Sequence, residues 1–197
     1  MTLQVKHTTN SITTVSGGIV DFADTSRSSK IDLHDVAHGL AMTCRFAGQC
    51  PVWYSVAEHC ILGARLLCGK GQPIQALGFL LHDAHEAFMC DIPKPLKRML
   101  PEYDIISSEL QALIMETLWP DDVIYPNATV IHDTDSIMLA SEYRQLFGED
   151  APAFAFCDNA PRPDPSIKLL TLYPSAASAE YERMYHQLIR EVPNVTA

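Results

Sequence analysis

The 197-residue chain has no apolar run near the roughly 18 residues that a bilayer crossing needs. Its first residues, MTLQVKHTTN, lack the apolar centre of a secretory signal. The expectation is a cytoplasmic protein with no membrane partner. Nor is there a Cys-x-x-Cys pair: the six cysteines stand apart as Cys44, Cys50, Cys60, Cys68, Cys90 and Cys157. That scatter argues against a zinc knuckle or a thioredoxin-type motif, and in the cytosol it predicts reduced thiols that pack as small hydrophobes. Positive charge is scarce, with 14 Lys and Arg against 24 Asp and Glu and a net charge of −10. No basic stripe is visible, which argues against a nucleic-acid polymer as partner. A small anion would need a local positive site, built from a metal and a few cations within a repulsive surface. Internal repeats are missing as well.

What remains is globular: 47% apolar and 19% charged residues, enough for one domain over 1–197 with a core of its own. Residues 1–30 are rich in Ser, Thr and Gly. Within them Gly18-Ile19-Val20-Asp21-Phe22 alternates apolar and polar and reads as a short strand, half of a hairpin. From residue 32 the pattern is helical. Asp32 can cap a helix carrying Leu33, Val36, Ala37, Leu40 and Cys44, with Gly48 past its end. Ser55 and Glu58 form a capping box for a helix running through His59 to Cys68. Pro73 suits the first turn of a helix over 74–89, after which Pro93 and Pro95 predict an extended stretch. Pro101 and Asn127 open two longer helices. Residues 149–167, with four prolines, read as a loop, and a last helix covers 175–191. The predicted fold class is all-α, about six helices with a small N-terminal β element.

Chemistry concentrates where apolar helices suddenly turn polar. His82-Asp83 follows Leu77, Phe79, Leu80 and Leu81, and Glu86 lies one turn on, on the face of His82. His59 sits among Val56, Ala57, Ile61 and Leu62. Asp135 sits between Val130-Ile131 and Ile137-Met138-Leu139. An unpaired buried carboxylate costs several kcal/mol, and a divalent cation supplies the missing partner. Three helices that each bring a donor inward can build one metal site, and two imidazoles with two carboxylates suit Mn, Co, Zn or a similar ion. Asp133 rivals Asp135 as the fourth ligand. His34 and His38 have chelating i, i+4 spacing, but no third ligand is evident beside them.

His59, His82-Asp83 and Asp135 together resemble the H…HD…D pattern of the HD-domain phosphohydrolase superfamily. Tyr54 to His59, His82 to Ala87 and Asp91-Ile92-Pro93-Lys94-Pro95-Leu96-Lys97 resemble blocks of YfbR-like nucleotidases. Asp35 to Leu40 and Arg45-Phe46 resemble the phage branch, which includes DatZ-type deoxyadenosine triphosphate triphosphohydrolases. The likeness covers about 17–147 and implies an HD-domain helical bundle. It implies His59, His82, Asp83 and Asp135 as metal ligands, Asp135 rather than Asp133 because Glu142 follows it seven residues on as in the family, Glu86 as the acid that moves protons around the attacking water, and Asp91 as a second acid near the leaving group. Arg45, and Lys97 of the Asp-x-Pro-x-Pro-x-Lys block, would meet phosphate. Phe46 departs from the family's Trp but keeps an aromatic face, and His38 matches a position near the site. Val20 could wall the base.

The bland alternatives stand beside these roles. Arg45 could be a structural ion pair, Lys97 a solvated charge with Lys94 and Arg98 equally available, Asp91 a turn cap, and His85 could turn toward substrate or away. The implied reaction is metal-dependent hydrolysis of a deoxynucleoside triphosphate, dATP first, to deoxynucleoside and triphosphate, with Mg accompanying the triphosphate. A 5′-deoxynucleotidase is the alternative, and a non-catalytic nucleotide-binding module is a third. The resemblance also implies a homo-oligomer, dimer or hexamer, and a bacterial host cell for a bacteriophage gene.

Overall fold

The computed structural model describes residues 7–148 and 161–192. Cys157, Pro152 and most of the Pro-rich stretch lie outside the described residues.

The front of the chain is a hairpin of β1 (Ser11–Thr13) and β2 (Ile19–Asp21), antiparallel with Ile12 opposite Val20. Its turn closes through Thr14 N–H to Gly18 O at 2.9 Å, with Gly17 in the left-handed region at φ 86° where no Cβ interferes. Asp35 accepts from Ser16 N and Ser16 Oγ at 2.8 and 2.6 Å, pinning the hairpin tip to the first helix. Val20 is buried in the core and is absent from the lining of the cleft described below.

Helix α1 (Leu33–Met42) starts at Asp32, whose carboxylate accepts from His34 N. It stops six residues before Gly48. Arg45 N–H turns to Tyr54 O and Val56 N–H to Thr43 O, so antiparallel pairing takes over and Cys44 leaves the helix to bridge Ser55. Helix α2 (Val56–Gly69) is capped by Ser55 Oγ, which accepts from Glu58 N. Only that half of the capping box forms. The Glu58 carboxylate instead accepts from the N–H groups of Leu170, Thr171 and Leu172 at 2.6 to 2.9 Å, fastening the strap that leads to the last helix.

Helix α3 (Pro73–Leu81) ends sooner than the apolar pattern predicts. His82 to His85 form tighter turns, with Ala84 N bonded to Leu81 O and Glu86 N to Asp83 O, before a one-turn α4 (Glu86–Met89). After it, Pro93 keeps the chain extended at φ −55° and ψ 135°, but Pro95 does not. Pro95 falls in the first turn of α5 (Lys94–Lys97), where its missing N–H leaves no bond unmade. Then come α6 (Pro101–Leu118), α7 (Ala128–Phe147) capped by Asn127, and α8 (Pro174–Glu191). The fold is all-α with one two-stranded sheet. No helix among the described residues is long and apolar enough to cross a membrane.

Helix α2 runs through the middle and packs on α1, α3, α7 and α8. A Cβ at Gly63 would overlap the Phe79 ring, so glycine there permits the close approach of α2 and α3. Helix α8 covers the core: Tyr181, Met184 and Leu188 are buried, and Tyr181 Oη donates to Leu80 O at 2.6 Å. Each such large apolar side chain contributes about 1.5–3 kcal/mol by leaving water.

Candidate metal centre and its cleft

His59 projects from α2 and is completely buried. Its Nδ1–H donates to Glu142 Oε1 on α7 at 2.6 Å. His82 follows α3, and its Nδ1–H donates to Phe79 O at 2.7 Å. Both rings are therefore held in the tautomer that leaves a lone pair on Nε2. Neither Nε2 has a hydrogen-bond partner, although both are buried. They point into one gathering of ligand atoms: His59, His82 and Asp135 each offer an atom within 4.8 Å of the others. Asp135 Oδ1 is 3.3 Å from His59 Nε2, off the axis of a hydrogen bond. Asp83 Oδ2 borders the group at 3.1 Å from His82 Nε2 and 3.9 Å from His59 Nε2.

Atoms bound to one ion at about 2.1 Å lie about 3 to 4 Å from each other, so this donor set fits a divalent cation. Orphaned buried imidazole nitrogens are costly otherwise. The electrostatics agree. Burial opposes the charge on Asp83, yet His82 beside it holds its carboxyl far below the usual range. Burial likewise opposes ionisation of Asp135, and the contacts with His59 bring it down to about 2. Burial and Arg45 work against a protonated His59, but Glu142 and Asp135 hold its pKa above the ordinary value. The cluster draws positive charge to itself.

The rival ligand is settled by position. Asp133 is 70% exposed on the outer face of α7, 3.6 Å from the equally exposed His132. Asp135, 38% exposed at the cleft, points its Oδ1 to within 3.3 Å of His59 Nε2.

Beside the cluster opens a cleft of about 350 Å³, within the range of small-molecule sites. Arg45, Phe46, Asp83, Glu86, Asp91, Lys94, Lys97, Asp135 and Tyr143 all line it. Glu86 is 2% exposed, and Lys97 Nζ donates to its Oε1 at 2.6 Å. Burial first, then the charges of Asp83 and Asp91, push its pKa up to about 8 against the pull of Lys97. Lys97 thus serves Glu86 while still facing the cleft. Arg45 and Phe46 sit on a loop with Phe46 at φ 57° and Ala47 at φ 52°, backbone strain worth about 1–3 kcal/mol per residue. The loop brings the Arg45 guanidinium over the Phe46 ring at 5.6 Å, with Phe46 edge-on to Phe147.

Two residues weighed in the sequence lie elsewhere, His38 as an expected substrate contact and His85 as one left open. His38 lines a different cleft, between α1 and α8, with His34 and Glu182. His85 is tied to Gln111 Oε1 through both its backbone N–H and Nδ1, and it does not line the cleft beside the cluster. Conversely, Glu142 and Tyr54 emerge as parts of the centre. Glu142 lies seven residues after Asp135, two helical turns along one face, the same spacing that favours Asp135 over Asp133 in the sequence, but its bonds to His59, Tyr54 and Arg45 carry no signal there. Tyr54 carries no such signal.

No family model matches the chain. It is 32% identical over 167 residues to the uncharacterized protein YfdR of Escherichia coli K12, covering 85% of this chain and 89% of that protein. It is 28% identical over 190 residues to an uncharacterized protein of Rhodobacter capsulatus, covering 90% of this chain and 95% of that one.

Proposed function

The chain belongs to the family of Escherichia coli YfdR, and from its site we propose that it is a metal-dependent phosphohydrolase of deoxynucleotides. One observation carries this reading. Two buried imidazoles, each fixed through Nδ1, aim unpartnered Nε2 atoms at a shared point with Asp135, beside a cleft lined by Glu86 and three cations. A divalent ion such as Zn, Mn or Co, held there by His59, His82 and Asp135 with Asp83 adjoining, supplies Lewis acidity and neutralises phosphoryl charge.

The substrate we propose is a deoxynucleoside triphosphate, dATP first, with Mg on its triphosphate. Water adds to the α-phosphorus, the bond to the 5′-oxygen breaks, and deoxynucleoside and triphosphate leave. One proton departs the attacking water and one reaches the 5′-oxygen. Glu86, which keeps its proton near neutral pH, and Asp91, which lines the same cleft, are the groups placed to move them. Arg45 offers a planar fork to phosphate oxygens, and Lys94 and Lys97 line the same wall. Phe46 and Tyr143 give the cleft aromatic faces for a nucleoside. A pure nucleotide sensor has no need of a buried acid such as Glu86 beside the ion.

The test is to incubate Mn- or Co-loaded protein with each dNTP and dNMP and to separate nucleoside, phosphate, pyrophosphate and triphosphate. Deoxyadenosine and triphosphate from dATP are expected. Phosphate from monophosphates would move the substrate to dNMPs. No product from any nucleotide with any of these metals overturns the proposal.

A further inference from the structure

The candidate metal centre and the arginine of its cleft meet on a single carboxylate. We propose that Glu142 is a positioning residue that couples metal affinity at His59 to anion binding by Arg45. The assignment deepens the function proposed above and rests on it.

Glu142 is fully buried on α7, two turns beyond Asp135. Its Oε1 accepts from Tyr54 Oη at 2.8 Å and from His59 Nδ1 at 2.6 Å. The second bond fixes the His59 ring and leaves Nε2 as the ligating atom. A carboxylate in that place makes the imidazole a stronger donor than a neutral acceptor would.

The other oxygen faces Arg45. Nη2 of Arg45 lies 3.2 Å from Glu142 Oε2, close enough to pair as charges. The alignment is poor, however, and both Glu142 Oε2 and Arg45 Nε are buried without a hydrogen-bond partner. A buried ion pair with donors left over is held at a cost. That cost falls when the guanidinium finds an anion on its cleft side, where Arg45 lines the wall with Asp91 and Lys97. Glu142 therefore keeps Arg45 charged and near the cleft without saturating it. The same carboxylate orients His59. Loss of its charge weakens both functions together, whereas a merely structural glutamate would affect only stability.

The experiment compares the full chain with Glu142→Gln and Tyr54→Phe. Each is titrated with Co(II) and read by visible absorption, and the cobalt-saturated protein is then titrated with inorganic phosphate. Gln keeps the length and an acceptor for His59 and Tyr54 but carries no charge. Cobalt affinity is expected to fall 10- to 100-fold in E142Q. Phosphate affinity at saturating cobalt is expected to fall about tenfold with it. Tyr54→Phe removes one donor and is expected to weaken cobalt about threefold, so it reads the same link should E142Q not fold. Unchanged cobalt affinity in either folded variant overturns the assignment. Weakened cobalt with unchanged phosphate affinity overturns the coupling. A wild-type protein that takes up no cobalt overturns the metal reading itself, and the assignment with it.

Discussion

On α1, His34 and His38 stand four residues apart, and Glu182 of α8 lies 2.8 Å from His34 Nδ1. In the cleft beside α2 and α7, two other histidines, His59 and His82, meet Asp83 and Asp135. The first cluster has the better spacing on paper. Its His34 side chain is nevertheless 55% exposed, its two rings sit 6.3 Å apart, and the Nδ1 of His34 is already spent on Glu182. In the second cluster both Nδ1 atoms are committed to internal acceptors and both Nε2 atoms are left over. Among the described residues only His59, His82 and Asp135 converge as a ligand group. What separates a metal centre from a surface pair is burial and outer hydrogen bonding, more than the spacing of histidines along one helix.

The largest effects should fall on the buried cluster. His59→Ala and Asp135→Ala are expected to abolish metal-dependent turnover, while His38→Ala leaves it within about twofold, as steady-state assays with dATP would read. Retained turnover in Asp135→Ala would hand the ligand role to a different residue. Glu86→Gln is expected to keep the metal, measured by cobalt absorption, and to lose about 10²–10⁴ in kcat. Equal kcat in the variant would remove Glu86 from the chemistry. Asp133→Asn, on the solvent side of the same helix, should change turnover less than twofold, which contrasts directly with Asp135.

A smaller effect concerns pH. The folded protein holds a proton on Glu86 up to about 8, whereas the unfolded chain releases it near 4.5, the ordinary value for a glutamate. Between those values the native state binds more protons, so this group makes stability fall as pH rises. Glu86→Gln mimics the protonated form. Its Tm relative to wild type should therefore climb from pH 5 to pH 8.5, and a constant difference would refute the shift. Smallest of all is His34. Glu182 raises its pKa, so its contribution is present at low pH and fades as pH rises through the raised folded value. Because the pair is largely in water, His34→Ala should cost no more than about 1 kcal/mol at pH 5.5 by urea unfolding.

Much of this architecture was legible in advance, for local reasons. Asp32, Ser55 and Asn127 each accept a free backbone N–H at the start of a predicted helix. Pro73 and Pro101 occupy first turns. His59, His82 and Asp135 stood out because polar groups interrupted apolar faces. What escaped depended on contacts distant in the chain. Glu58 pairs with Leu170 to Leu172 rather than with its own helix start, and Glu142 joins α7 to α2 and to the Arg45 loop. The tight turns at His82 to His85 replaced a continuous helix, which no periodicity announces. His38 and Val20 fall outside the lining of the cleft beside the cluster, because helix spacing and strand alternation say which residues share a face, but not what that face meets.

The most direct measurement is the metal content of three proteins after loading with Co(II) and dialysis: wild type, His59→Ala and the His34→Ala/His38→Ala double variant. One cobalt per chain is expected in the wild type and in the α1 double variant, and none in His59→Ala. Cobalt retained by His59→Ala, or lost with the α1 pair, would contradict it.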